Sequence, residues 1–109
     1  MESRRQSKVA RLLQKDLGAI FQEKTNELGS MITVTIVKVS PDLAVAKVYL
    51  SIFGGDKEKT LENVKEINWQ IRKELGTKVR HQLRIVPELI FYIDDSYDYY
   101  EKIDRLLKE

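Results

Sequence analysis

Few side chains in this 109-residue sequence have the types and spacing that enzyme chemistry requires. Asp94 and Asp95 could hold Mg²⁺ or transfer protons, but neighbours on a strand point to opposite faces, which favours a turn and helix-capping role. A metal-dependent nuclease at this pair is therefore the least favoured function. His81 is the sole histidine and has no partner at ligand spacing. Because Gly54 and Gly55 also lack the Lys–Ser/Thr of a phosphate-binding loop, we predict no catalytic residue, no cofactor and no metal site.

Basic side chains carry a stronger chemical signal because they form two blocks. Residues 1–15 contain five basic and one acidic side chain (+4), residues 61–86 contain six and three (+3), and residues 87–109 contain three and seven (−4). Such blocks are typical of a nucleic-acid-binding face, where Lys and Arg neutralise phosphates, although a solvated surface shows them too. The first block supplies the candidate phosphate contacts Arg4, Arg5, Lys8 and Arg11. The second supplies Arg72, Lys73, Lys78, Arg80, His81 and Arg84.

Length and composition favour one small domain spanning residues 1–109. At 42% hydrophobic residues the chain can bury a core without a metal or disulfide, and it contains no cysteine. No apolar run approaches the roughly 20 residues of a membrane span, and the polar start MESRRQSK has no signal-peptide core behind it. We expect a soluble, cytoplasmic protein that is monomeric when free.

The first half of the chain predicts a helix followed by a hairpin. Apolar residues recur every three or four positions over 4–24, and positions 4, 8 and 11 share the basic face of that helix. Gly29 is a plausible helix stop. Residues 31–39 are almost all β-branched, and residues 44–53 alternate, so we predict two antiparallel strands around a turn at Ser40–Asp42.

The second half predicts a long, interrupted helix. Apolar residues keep helical spacing over 61–79, and Thr60 could cap this helix. Asn68 and Gly76 interrupt the stretch, which indicates a kink or two shorter helices. Arg72 lies on this element, where it could instead pair locally with Asn68 or Glu66.

A third strand and a short terminal helix complete the predicted fold. The strand spans about 83–93, and Pro87 must lie at an edge, a bulge or the strand entry because it has no N–H to donate. A helix over about 99–107 follows the turn residues 94–96. The result is an α+β domain with helices packed on one face of a three-stranded sheet.

The aromatic residues can be interpreted either as contacts for a nucleic acid or as packing residues. Trp69, the only tryptophan, lies one position off the apolar stripe. If exposed, it would offer an unpaired base a face to stack on. A single tryptophan more often packs in or beside a core, and we expect this for Trp69. The tyrosine cluster of residues 97–100 has acidic neighbours that repel phosphate, so we expect it to pack the terminal helix against the sheet.

Two segments are specific enough to carry a family resemblance. One is the hairpin VTIVKVSPDLAVAKVY of residues 34–49, and the other is Arg84–Phe91 with its VPEL centre. The basic helix SRRQSKVARLLQKDLGAIF, the helical IRKELGTKVR and the terminal IDRLL stand in the same order. Over essentially its whole length the chain resembles the ribosome-binding factor A family.

The resemblance implies a fold and a function. The fold is a KH-like domain of type II topology, helix-strand-strand-helix-(kink)-helix-strand with a short C-terminal helix. The function is that of a ribosome assembly factor, not an enzyme, which binds the immature small (30S) ribosomal subunit and its 16S rRNA. It implies support of late maturation, rRNA 5′-end processing and adaptation to cold, with no cofactor, membrane or small-molecule substrate. The alternative is a protein–protein interaction module that docks through its sheet edge or its acidic C-terminal helix.

One short segment departs from the family pattern. A GxxG loop, which clamps nucleotides in ordinary KH domains, is absent here. The family resemblance implies a small-residue kink of the type Ala-x-Gly in its place, and Ile67, Asn68 and Trp69 occupy the aligned positions. Asn68 tolerates unusual backbone angles. A kink can therefore persist here, and the resemblance implies Asn68 as a candidate RNA contact, whereas the family's kink contacts are not carried over to Ile67 or Trp69.

Overall fold

Helices and strands follow the predicted order, with one additional short helix over Thr25–Leu28, in a computed structural model that describes residues 2–94. The elements are α1 (Arg4–Glu23), α2 (Thr25–Leu28), β1 (Met31–Val39), β2 (Val45–Phe53), α3 (Lys57–Glu66), α4 (Asn68–Val79) and β3 (Glu88–Ile93). The sheet order is β1-β2-β3, with β2 antiparallel to β1 and parallel to β3. This confirms the α+β, KH-like architecture. The predicted C-terminal helix and the tyrosines at 97–100 lie outside the described residues.

Helix α1 begins at a capping box and is fixed to the end of β1. The Ser3 hydroxyl accepts from the Gln6 N–H, and the Gln6 side chain accepts from the Ser3 N–H. The side-chain nitrogen Nε2 of Gln6 also donates to the carbonyl of Val39 at 2.9 Å. Leu13 and Leu17 are fully buried on the inner face of α1, and burial of each contributes about 1.5–3 kcal/mol. The N-terminal turns of α1 therefore lie beside the C-terminal end of β1.

The β1–β2 turn has the chemistry predicted for Ser40–Asp42. Asp42 Oδ1 accepts from the Ser40 hydroxyl at 2.7 Å and from the Ala44 N–H at 3.1 Å. Leu43 adopts a positive φ of 62°, which is uncommon for a branched side chain. The turn leads into β2 at Val45, one residue later than predicted.

Helix α3 begins earlier than predicted, and Thr60 is not its cap. The Asp56 carboxylate accepts from the N–H groups of Glu58 and Lys59, so α3 begins at Lys57. Thr60 is instead buried in the first turns of α3, with its hydroxyl 3.1 Å from that of Ser30. The expectation for Thr60 was wrong because Asp56 and Thr60 are both suited to capping, and Asp56, four positions earlier, is the residue that caps the helix.

The predicted interruption of the long helix is confirmed at one of its two positions. Ile67, with φ −100° and ψ 18°, ends α3 and precedes α4. Gly76 lies within α4, and the helix continues through it. The chain therefore keeps a break at Ile67 although large residues occupy this position.

Strand β3 is shorter than predicted and begins at Glu88, so residues 83–87 form an irregular connection. Pro87, buried immediately before the strand, explains the late start because it cannot donate to a ladder. The core lies between the helices and one face of the sheet, where Phe21 of α1 meets Phe91 of β3 edge to face at 5.9 Å. The connection before β3 is thus held at one end of the sheet.

Candidate nucleic-acid interface

Basic side chains from both blocks of the sequence meet at one end of the domain. Arg5, near the start of α1, and Arg84, in the connection before β3, line the same concavity of about 410 Å³. Leu43 of the β1–β2 turn and Pro87 contribute to its apolar walls. The Glu88 N–H donates to the Ala44 carbonyl at 2.8 Å and joins the connection to the turn. Residues almost 80 positions apart in sequence are thereby brought together.

A second concavity extends this surface along α1. It measures about 430 Å³ and is lined by Arg5, Lys8, Val9, Leu12, Gln82 and Leu83. The Arg5 and Lys8 side chains are exposed, whereas Val9 is buried beneath them. We call the surface formed by Arg5, Lys8, Leu83 and Arg84 the basic end. It offers cationic groups around an apolar floor, an arrangement suited to a sugar–phosphate backbone.

Asp42 is the acidic group in this surface. Hydrogen bonds from the Ser40 hydroxyl and the Ala44 N–H lower the pKa of the Asp42 carboxyl below its ordinary value of 3.8. Asp42 lines the concavity that contains Arg5 and Arg84. Its negative charge therefore persists at neutral pH and reduces the net positive charge of that concavity.

Arg4, Arg11, Lys78, Arg80 and His81 are exposed, as a phosphate contact requires. Arg80 Nε donates to His81 Nε2 at 3.3 Å, so this pair is locally ordered beyond the end of α4. No described concavity joins Arg4, Arg11 or Lys78 to the basic end. These residues remain candidate RNA contacts on exposure and charge alone.

Arg72 and Asn68 hold α4 to the strand region. Arg72 Nε donates to the Pro87 carbonyl at 3.2 Å, and Arg72 Nη2 donates to the Val86 carbonyl at 2.7 Å. Asn68 Nδ2 donates to the Leu89 carbonyl at 3.0 Å. The predicted local pairing of Arg72 with Asn68 or Glu66 is thus replaced by bonds to the backbone. Three of the five guanidinium N–H donors are left for a ligand.

Trp69 is 68% exposed, and the expectation that it packs against the core was wrong. It shares a shallow cleft of about 400 Å³ with Arg72, Lys73 and Val86. Residues 64, 71 and 75 keep one buried stripe across the break at Ile67, and residue 69, two positions before Ile71, lies on the opposite side of the helix. The candidate contacts Arg72 and Lys73 therefore border an aromatic face.

Comparison with known proteins identifies the family. The family model described as ribosome-binding factor A matches residues 5–107. The chain belongs to the ribosome-binding factor A family. Relatives of that name include the protein of Flavobacterium johnsoniae, 49% identical over 98% of this chain and 85% of its own length. The protein of Cytophaga hutchinsonii is 46% identical over 100% of this chain and 84% of its own length.

Solved structures of ribosome-binding factor A share the fold. The crystal structure of the Thermus thermophilus protein matches with a TM-score of 0.70 at 24% identity, covering 81% of this chain and 94% of the other. A homology model of the same protein, fitted into a cryo-EM map of a 30S complex, matches with a TM-score of 0.68 at 21% identity, covering 87% and 97%. The KH-like fold of the family is therefore that of this chain.

Sequence reasoning missed the apolar part of the basic end. Leu43, Leu83 and Ile85 lie in loops and were not singled out, yet Leu43 and Ile85 line the concavity with Arg5. Ile85 is 77% exposed. The sequence contained one signal, because Ile85 stands beside Arg84 in a segment specific to ribosome-binding factor A, but its exposure follows only from the structure.

Asp94 lies at the C-terminal end of β3, whereas the basic end adjoins the start of that strand. The Asp94 carboxylate accepts from the Thr35 hydroxyl at 2.6 Å at the end of β3, and Asp95 lies outside the described residues. Within residues 2–94, no three His, Asp or Glu side chains are grouped so that they could hold a metal ion. No helix in that range is long and apolar enough to cross a lipid bilayer.

Proposed function

We propose that this protein binds the immature small (30S) ribosomal subunit through its 16S rRNA and supports late maturation, including 5′-end processing. Membership of the ribosome-binding factor A family supports the proposal, as does the Thermus thermophilus relative fitted into a map of a 30S complex. On this proposal the chain is one RNA-binding domain that acts in the cytoplasm, where bacterial ribosomes are assembled, and carries out no chemical step. A role in cold adaptation is part of the same proposal.

The observation that carries the proposal is the meeting of basic side chains from both blocks at the basic end. Arg5 and Lys8 come from α1, Arg84 comes from the connection before β3, and Leu83 lies between them. Arginine presents a planar fork of donors that matches phosphate oxygens, while lysine acts as a mobile point charge. A scaffold that presents both around an apolar floor suits the phosphates of a folded RNA better than a basic or neutral partner.

The mechanism follows from binding that is selective for one RNA conformation. A protein that binds an immature arrangement of the rRNA more tightly than the mature one shifts the population toward the immature arrangement. The basic end would dock on the phosphates of that arrangement and delay the competing structure. Release then accompanies the change in the RNA that completes maturation.

Charge reversal tests the proposal. The double variant Arg5→Glu/Arg84→Glu should lower affinity for purified small subunits by at least about tenfold, because two phosphate contacts become repulsive. The matched control Lys15→Glu/Lys59→Glu changes the net charge equally at exposed positions that line neither concavity of the basic end. Co-sedimentation with small subunits measures both variants, and circular dichroism confirms that each is folded.

Two outcomes would overturn the proposal. Equal losses in the two double variants would mean that net charge, and not the basic end, governs binding. Undiminished binding of Arg5→Glu/Arg84→Glu that is also insensitive to salt would favour the protein–protein interaction module, since apolar docking responds far less to ionic strength.

A further inference from the structure

Trp69 is exposed at a position where exposure has a cost. It lies in the first turn of α4, directly after the break at Ile67, and 68% of its surface faces solvent. A large aromatic side chain buries 150–250 Å² when it packs, and leaving it in water forgoes that gain. The neighbouring α4 residues Ile71 and Leu75 are fully buried, so the core beneath the helix is filled without the indole.

The surroundings of Trp69 are cationic and partly fixed. Arg72 and Lys73 line the same cleft as the indole, and Val86 forms its apolar wall. The two hydrogen bonds from Arg72 to the Val86 and Pro87 carbonyls hold the guanidinium beside this cleft. A side chain held in this way loses less entropy when a ligand binds.

We propose that Trp69 is a stacking site for an unpaired RNA base, whose flanking phosphates are bound by Arg72 and Lys73. The inference rests on the proposed function, and it adds a preference for single-stranded RNA to the phosphate binding of the basic end. The cleft is shallow, which admits a flat base against the indole face. Pro87 connects the two sites, since its carbonyl accepts from Arg72 while its ring lines the concavity of Arg5 and Arg84.

The charge of the cleft favours a nucleotide over an apolar peptide. An aromatic face beside two cations matches the stacking platforms of single-strand-binding proteins, where every base has a face to stack and every linkage a phosphate to neutralise. Stacking on an aromatic residue requires an unpaired base, because both faces of a base within a duplex are occupied by its neighbours. The Trp69 cleft should therefore distinguish single strands from duplexes, while the basic end binds phosphates in either.

The fluorescence of Trp69 provides a direct test, since the chain contains one tryptophan. A short single-stranded RNA oligonucleotide of mixed sequence, titrated into the full chain, should quench the selectively excited indole emission. The matching duplex should quench it much less at equal occupancy, with occupancy measured by the anisotropy of a dye on the RNA. Equal quenching by both RNAs, or quenching by neither at full occupancy, would overturn the proposal.

Variants separate stacking from charge. Trp69→Ala and Trp69→Leu should each weaken single-strand binding roughly 5- to 150-fold, the range expected for loss of one stacked base, and Trp69→Phe should restore part of it. Phe53→Ala is the control, because Phe53 is 78% exposed at the far end of β2 and lines none of the described clefts near Trp69. Its affinity should match that of the wild type.

The failures of the two proposals are distinguishable. If Trp69→Ala binds as tightly as the wild type while Arg5→Glu/Arg84→Glu loses binding, Trp69 is not a stacking site and the basic end stands. If Trp69→Leu retains full affinity for single-stranded RNA while Trp69→Ala does not, the cleft requires apolar bulk and not an aromatic face, which overturns the stacking proposal. If neither set of variants changes RNA binding, both proposals fail.

Discussion

At the scale of single residues, side chains predicted as ligands for RNA also hold the domain together. Arg72 donates two hydrogen bonds to the Val86 and Pro87 carbonyls, and Asn68 donates one to the Leu89 carbonyl. Loss of RNA binding on mutation of either residue would therefore combine a direct and a structural effect. Arg5, Lys8 and Arg84 have no side-chain hydrogen bond or ion pair among the described contacts, which makes them the cleaner probes.

Asp42 predicts a defined pH dependence for the stability of the β1–β2 turn. Its folded-state pKa is lowered below 3.8, so the ionised carboxylate stabilises the fold above that value, and this contribution is lost as pH falls through the lowered pKa. Asp42→Ala should therefore lower the thermal midpoint at neutral pH, and its difference from the wild type should shrink as the pH falls below 3.8. Thermal denaturation across this range measures the difference. A difference that widens on acidification would contradict the assignment of the hydrogen bonds to the ionised carboxylate.

At the scale of elements, the boundaries depend on contacts that the local sequence does not contain. Asp56 and Thr60 are both residue types that commonly cap helices. Thr60 lies inside α3 instead, because its hydroxyl makes a buried contact with the hydroxyl of Ser30, 30 positions away. The apolar run before Pro87 resembles a strand, yet it forms a connection because pairing with β2 begins only at Glu88. The hairpin was predictable because its β-branched strands and turn residues agree locally.

The assignment of the α3 cap makes a further prediction. Asp56→Ala should lower the free energy of unfolding by about 1 kcal/mol and speed hydrogen exchange at the Glu58 and Lys59 amides, which its carboxylate now protects. Thr60→Val should leave exchange at those two amides unchanged, because Thr60 contacts Ser30 and not the helix start. Urea denaturation and exchange measured by NMR test both variants. Faster exchange at the Glu62 and Asn63 amides in Thr60→Val, together with unchanged exchange at Glu58 and Lys59 in Asp56→Ala, would show that Thr60 is the cap after all.

At the scale of the whole molecule, the near-neutral net charge of +2 conceals a separation of charge that the fold organises. Blocks at residues 1–15 and 61–86 were visible in the sequence, but their meeting was not, because it depends on how α1 packs across the sheet toward the connection before β3. The exposure of Trp69 was indicated by its place off the apolar stripe, but the general tendency of a single tryptophan to pack was given more weight. Fold and family could thus be predicted from local patterns and resemblance, whereas the geometry of the surface required the packing.

The salt dependence of binding to purified small subunits tests the central claim most directly. If the basic end neutralises rRNA phosphates, the logarithm of the wild-type association constant falls steeply and linearly with the logarithm of salt concentration. In the folded triple variant Arg5→Gln/Lys8→Gln/Arg84→Gln, the steepness of that slope should decrease by about 2 to 3, the loss expected for three phosphate contacts. A triple variant with the wild-type slope, or a wild-type affinity that does not change with salt, would contradict the account.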